Sequence, residues 1–332
     1  MSHTARLVIA LVLALAAHTV AHADTGRWKQ EGWSRTDFSK TSVPFSEIVS
    51  GGPPKDGIPS IDDPKFKPVS EIQDIADVEP VIGLEIMGDA RAYPLSILIW
   101  HEIVNDVVGN VPVAVTYCPL CNSAVVFDRR VGNQVLDFGT TGKLRKSDLV
   151  MYDRQTDSWW QQFTGEAIVG EKLGTELKLV PARLEAFAEF KTRHPSGRVL
   201  IPNNPRMRRY GTNPYVGYDS ARRPLLFQGR MPEGIEPMAR VVVVRRAARD
   251  PVIVALAHLR QSGTMTHDGV RLSWRAGQAS ALDTRQIAKG RDVGTVEAVA
   301  NGVSMPKAPL AYDVTFAFVA HAFHPNVPII GK

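Results

Sequence analysis

The chain reads as a β-dominated α+β protein, with mostly antiparallel strands and a few short helices. Three observations carry this. Short β-branched runs such as VPVAVTY, SAVVFDRR and ARVVVVRR recur along the length, the turn signals between them leave no room for crossover helices, and only two stretches show helical periodicity. With 332 residues, 44% of them hydrophobic, the chain can bury an ordinary core without disulfide staples.

Residues 1–23 hold one early cation, Arg6, then the apolar run LVIALVLALAA and the small-residue site AHA. This is the pattern of a secretory leader cleaved after Ala23, and it places the mature protein in the periplasm or outside the cell. The run is shorter than the roughly 20 residues a spanning helix needs, so a membrane-spanning protein is not expected. Residues 24–55 form a polar lead-in broken by Gly and Pro, with one short helix expected at PFSEIV.

A single β-rich domain is expected over 56–332, divisible into lobes 56–200 and 237–332. PVIGLEI and ARAYPL flank MGD as a hairpin. PLSILIWHEIVND follows as one helix, with Pro94 at its first position and Leu95, Leu98, Ile99 and Ile103 on one face. LVMYDR, SWWQQF and EAIVG continue as short strands, and ARLEAFAEFKTRH reads as a second helix ended by Pro195. Beyond a loop at 201–236, ARVVVVRR, VIVALAHL, VRLSWRAG, TVEAVANGV and YDVTFAFVAHAF read as strands. No internal repeat of fixed period is visible.

The only two cysteines, Cys118 and Cys121, sit in VTYCPLCNSAVVF between two strand patterns. A thioredoxin-type pair opens a helix, whose dipole lowers the thiol pKa, and no helix follows here. Haem attachment is excluded, because Asn122 stands where CxxCH needs histidine. A tight C-P-L-C-N turn between strands instead matches the knuckles that aim two sulfurs at one ion, with Pro119 pre-setting φ and Asn122 tolerating a positive φ. Two thiols do not fill the four positions of a structural zinc, so His101, His321 and His324 are the candidate completing ligands. Soft thiolates point to copper(I) or zinc. In an oxidising compartment, a plain disulfide between Cys118 and Cys121 stays open as the alternative, as does a thiol–disulfide oxidoreductase.

Other signatures fall short. HEIVN, beginning at His101, has Asn105 where the zinc-protease motif HExxH has its second histidine. DFGTTGKL has Asp137 where a phosphate loop has its first glycine, which excludes a nucleotide site of that type, and no G-x-S-x-G elbow occurs. No reaction is therefore assigned. Asp148, Asp153, Asp157 and Glu166 beside Trp159 and Trp160 suggest either a carbohydrate cleft or Asp-rich turns over packed aromatics. Over residues 206–230 of the long loop, Arg206, Arg208, Arg209, Arg222, Arg223 and Arg230 face one acid, Asp219, giving +5, as large as the +5 of the whole chain. Interleaved with Tyr210, Tyr215 and Tyr218, these arginines are candidates to grip a small anionic ligand, a lipid headgroup or a protein partner, while nucleic acid does not suit the compartment.

The motifs ARAYPLSIL, WHEIVND, VAVTYCPLCNSAVVFDR, SDLVMYDRQTDSWWQQFTGEAIVG and AFHP occur in order, and together they resemble the bacterial exported family known as domain of unknown function 3179. The resemblance runs from about residue 55 to the C-terminus and implies export and one shared architecture, without a reaction. Asn122 departs from the glycine or similarly small residue usual in that family at this position.

Overall fold

A computed structural model of the chain describes residues 25–246, 249–301 and 309–332; the leader and its cleavage site lie outside them. The expected β-dominated α+β class holds, with mostly antiparallel sheets and a few short helices. Among the described residues no helix is long and apolar enough to cross a membrane.

The hairpin at MGD forms as expected, Pro80–Ile86 against Asp89–Pro94, with Met87 and Gly88 at φ 51° and 81° in a two-residue turn whose twist matches the strands. The next stretch corrects the sequence reading. Helix Leu95–Leu98 lasts one turn, Glu102 enters the left-handed region at φ 60°, and Ile103–Val108 is a strand paired with Val111–Cys118. The β-branched residues of IVNDVV gain a full ladder there, which outweighs the helical spacing. The same correction applies three more times. ARLEAFAEFKTRH splits into strand Arg183–Ala186 and helix Phe187–Arg193. VIVALAHL and YDVTFAFVAHAF, read as strands, end in helices Leu256–Ser262 and Ala317–Phe323. In all four cases the strand runs straight into the helix with no side-chain cap, so the usual start signal is missing.

These strand-to-helix junctions mark a structural repeat. Each unit is a hairpin, a short helix, a three-stranded meander, then strand, helix, strand. The first unit has the meander Ile103–Val108, Val111–Cys118, Ser123–Asp128 and closes with Arg183–Ala186, Phe187–Arg193 and Arg198–Ile201. The second has the hairpin Arg240–Arg246/Arg249–Ala255, the meander Thr264–His267, Val270–Arg275, Thr295–Ala300, and closes with Tyr312–Phe316, Ala317–Phe323 and Ile329–Ile330. In both, the strand after the meander pairs antiparallel with the first hairpin strand, and the last strand pairs parallel with the second. Equivalent strands begin at 80 and 240, 123 and 295, 183 and 312, so no constant spacing exists to be seen in the sequence.

The two units grip each other reciprocally. The third meander strand of each packs on the closing strand of the other: Ser123–Asp128 on Tyr312–Phe316, and Thr295–Ala300 on Arg183–Ala186. The main core is continuous, joining Val113, Tyr117 and Phe127 of the first unit to Val242, Val254 and Phe316 of the second. Asp313 pins one of these contacts, accepting from the Ser123 hydroxyl at 2.5 Å and the Ala124 amide at 2.9 Å.

Into the first unit is inserted a further sheet, Phe138–Arg145, Asp148–Asp153, Trp159–Gln161 and Ala167–Val169, edged by Ile48–Ser50 from the lead-in. The lead-in is less polar in effect than its composition suggests. Trp28, Trp33 and Phe38 bury their rings around Trp159, with centroids 5.0 to 5.3 Å from it, forming a second core. PFSEIV becomes a single 3-10 turn, Phe45–Glu47, before the strand.

Asp313→Ala leaves the Ala124 amide buried without an acceptor, and we expect it to lose on the order of 2–4 kcal/mol of unfolding free energy. Urea denaturation measures this; a loss below about 0.5 kcal/mol contradicts the pinning role.

Candidate functional site

Two hairpin tips converge on the buried cysteines. The first is the turn from Cys118 to Asn122, closing the pair Cys118 and Ser123; the Cys121 amide donates to the Cys118 carbonyl and the Asn122 amide to that of Pro119, both at 3.2 Å. Asn122 adopts φ 49°, the positive value the knuckle requires. Its amide nitrogen donates to Val314 O at 2.6 Å, and Thr315 donates to Cys121 O at 2.7 Å, so the second repeat unit fixes the turn. The second tip joins Phe138–Arg145 to Asp148–Asp153 through Lys146 and Ser147, at φ 54° and 67°. This tip delivers Asp148.

The Cys118 and Cys121 sulfurs and a carboxylate oxygen of Asp148 lie within 4.8 Å of one another, all three residues buried, Cys118 at 2% exposure and Cys121 at 0%. The two sulfurs are not joined as a disulfide. Asp148 is held from one side: Oδ2 accepts from Gln161 Nε2 at 2.6 Å and the Phe163 amide at 2.9 Å. Its other oxygen, Oδ1, is buried with no hydrogen-bond partner among the described residues. Carboxylates oriented by such outer bonds, with one oxygen left free, are typical of metal ligands.

Burial sets the electrostatics. It raises the Cys118 thiol and pushes the Cys121 thiol far up, so both are protonated at neutral pH. Burial also raises Asp148 to about 6. Beside them Glu102, fully buried, rises to about 8, by burial first and then by the Asp148 charge. Arg245 is buried near Asp148 and Asp313, but its guanidinium donates to the Phe163 carbonyl. Four acids thus share a dry region, and without a bound cation at neutral pH the two thiols and Glu102 hold protons while Asp148 alone carries charge.

The structure places the other candidates elsewhere. His101 engages both ring nitrogens, Nδ1 at 2.7 Å from the Pro59 carbonyl and Nε2 at 2.8 Å from the Tyr210 hydroxyl. His324 packs its ring 6.0 Å from that of Phe163, and burial lowers its pKa to about 4. His321 lies on helix Ala317–Phe323. None of the three belongs to the cysteine–aspartate group. Asp153 and Asp157 serve as turn and ion-pair partners, Asp153 for the Trp160 indole at 2.9 Å and Asp157 for Arg35 and Lys55.

The long loop divides by residue type. Its tyrosines turn inward: Tyr210 meets His101, while burial raises the phenols of Tyr215 and Tyr218. Tyr218 donates to Leu120 O at 3.0 Å and accepts from the Leu225 amide at 3.3 Å, and Ser147 Oγ donates to Leu225 O at 2.6 Å. The loop is therefore the roof of the cysteine site. Sequence reasoning placed Asp148 among possible sugar-cleft carboxylates and met Glu102 only inside a failed protease motif. Nothing in the spacing of 102, 118 and 148 brings them together; the strand pairing does.

Two outcomes follow from this geometry. In cation-free protein, Tyr218→Phe with Ser147→Ala unties the roof, and thiol reaction with a bulky aromatic disulfide should accelerate at least about tenfold, as expected where local opening controls access; an unchanged rate shows the roof does not gate the sulfurs. The fold raises Glu102 from 4.5 to about 8 and Asp148 from 3.8 to about 6. The folded state therefore favours their protonated forms, and the stability they contribute is complete below the unfolded values and lost as pH rises toward 8. Urea midpoints measured with chelator should fall between about pH 5 and 8, and Glu102→Gln should flatten the upper part of that decline; a midpoint that rises over this range contradicts the assignment.

No curated protein and no solved structure matches the chain. One family matches residues 55–327, from the end of the lead-in to just before the closing strand of the second unit, and the chain belongs to it: the family described as protein of unknown function (DUF3179).

Proposed function

We propose that this is an exported metal-binding protein that holds one zinc ion between Cys118, Cys121 and Asp148. The observation that carries the reading is the unpartnered, buried Oδ1 of Asp148 in a group whose sulfur and oxygen atoms lie within 4.8 Å of one another. Two thiolates with a carboxylate suit a borderline-soft divalent ion, and the oxygen donor favours zinc over copper(I), which selects an all-soft set. A divalent ion would take the place of the thiol protons and neutralise charge that burial otherwise forbids. Three protein ligands leave a fourth position for water or for Glu102. The leader-like residues 1–23 support export. Thiol–disulfide exchange is supported less well, since it needs an accessible, low-pKa thiolate and both sulfurs here are buried and raised.

Protein purified without chelator or histidine tag should carry zinc near one equivalent, with thiols that react only after chelation. Cys118→Ser/Cys121→Ser should abolish the metal, and Asp148→Asn should weaken its retention by about 10- to 100-fold, as for other ligand-shell changes. Metal-free protein whose thiols react only after reduction would identify a disulfide and end this reading.

A further inference from the structure

The outer surface of the roof loop has a composition unlike the rest of the molecule. Among the described residues, the exposed large hydrophobics number eight, and four of them, Met207, Val216, Leu225 and Leu226, lie on this loop at 43 to 57% exposure. They alternate with arginines. Arg206, Arg209, Arg222 and Arg223 are exposed and have no acid partner among the described residues, where Arg208 donates only to the Met207 carbonyl at 3.1 Å. The one acid between Arg206 and Arg230, Asp219, is buried and satisfied by Arg240, Arg291 and Ser280. Arg230 alone of the loop arginines has an acid, Glu233. The densest point is Arg222-Arg223-Pro224-Leu225-Leu226, where Leu226 is held exposed at φ 54°, a conformation costly for a leucine.

We propose that this face docks the protein onto an anionic lipid bilayer, the arginines meeting phosphate headgroups and Leu225 and Leu226 entering the interface. Three features favour a bilayer over a peptide or a small anion. The leucines protrude instead of lining a groove, so they suit a soft apolar layer more than a shaped ligand. The five unpaired guanidinia are spread along the loop, which suits a sheet of phosphates more than one carboxylate. The loop is anchored beneath by Tyr210 and Tyr218, so the surface is presented without further ordering. This inference does not depend on the metal reading.

The test is partition of the full chain onto vesicles of phosphatidylcholine alone, and of phosphatidylcholine with phosphatidylglycerol as about a third of the lipid. Binding should be confined to the anionic vesicles and weaken as salt is raised. Arg222→Gln/Arg223→Gln should weaken partition about 30-fold, each arginine near an anionic surface contributing about a factor of five. Leu225→Ser/Leu226→Asn, with Asn chosen because it tolerates the positive φ, should weaken it at least about fivefold. Lys178→Gln/Arg271→Gln, exposed cations off the loop, should change it less than about twofold. All variants alter exposed side chains, so equal thermal midpoints confirm intact folds. No partition onto either vesicle overturns the proposal and leaves a protein partner for this face. Partition that ignores the leucine pair, or that free glycerol phosphate abolishes, overturns it in favour of a soluble-anion site.

Discussion

Charge that cannot be left bare in a dry interior governs the centre of this molecule. Cys118, Cys121, Asp148 and Glu102 are all sealed from water by their own strands and by the roof loop, and a fully buried anion without a partner costs several kcal/mol even after the protein relaxes. Such a group has two ways to limit that cost: keep all but Asp148 protonated at neutral pH, or deprotonate around a cation. The proposed zinc reading rests on the outer bonds. Gln161 and the Phe163 amide hold one Asp148 oxygen in place and leave the other free toward the sulfurs.

The repeat explains how so exact a placement is sustained by one-turn helices and short strands. The cysteine turn belongs to the first unit, yet it is clamped by Val314 and Thr315 of the second, through Asn122 and the Cys121 carbonyl. The inserted sheet supplies Asp148 from a hairpin whose two tip residues both take positive φ. Two hairpin tips thus meet at one point against a strand of the second unit, and each is fixed by hydrogen bonds to another part of the chain. Gln162 adds a direct stitch, its side chain donating to Thr116 Oγ1 at 2.8 Å and its backbone amide to Leu149 O at 3.0 Å.

Much of this was legible in the sequence where local chemistry decides the outcome. The MGD hairpin, the strands on either side of the cysteines and the positive φ at Asn122 follow from turn residues and β-branched runs. What the sequence hid was set by tertiary contacts. Ile103 lies on a helical spacing but pairs in a sheet, and helices at Phe187, Leu256 and Ala317 begin without capping side chains, so their starts carry no signal. The repeat was invisible because an inserted sheet and a roof loop displace its halves by unequal amounts. Asp148 and Glu102 were visible as acids, but only the register of two hairpins brings them to the cysteines. The arginine–tyrosine loop read as a single ligand grip, whereas folding sends its tyrosines inward and its arginines outward.

The most direct measurement is a cobalt(II) titration of reduced, metal-free protein followed by absorption. A donor set of two thiolates and a carboxylate should give sulfur-to-cobalt charge-transfer bands in the near ultraviolet and intense tetrahedral visible bands that saturate at one equivalent, both lost in Cys118→Ser/Cys121→Ser. A weak octahedral spectrum without charge-transfer bands, or no uptake while both thiols remain free, would contradict a metal centre at Cys118, Cys121 and Asp148.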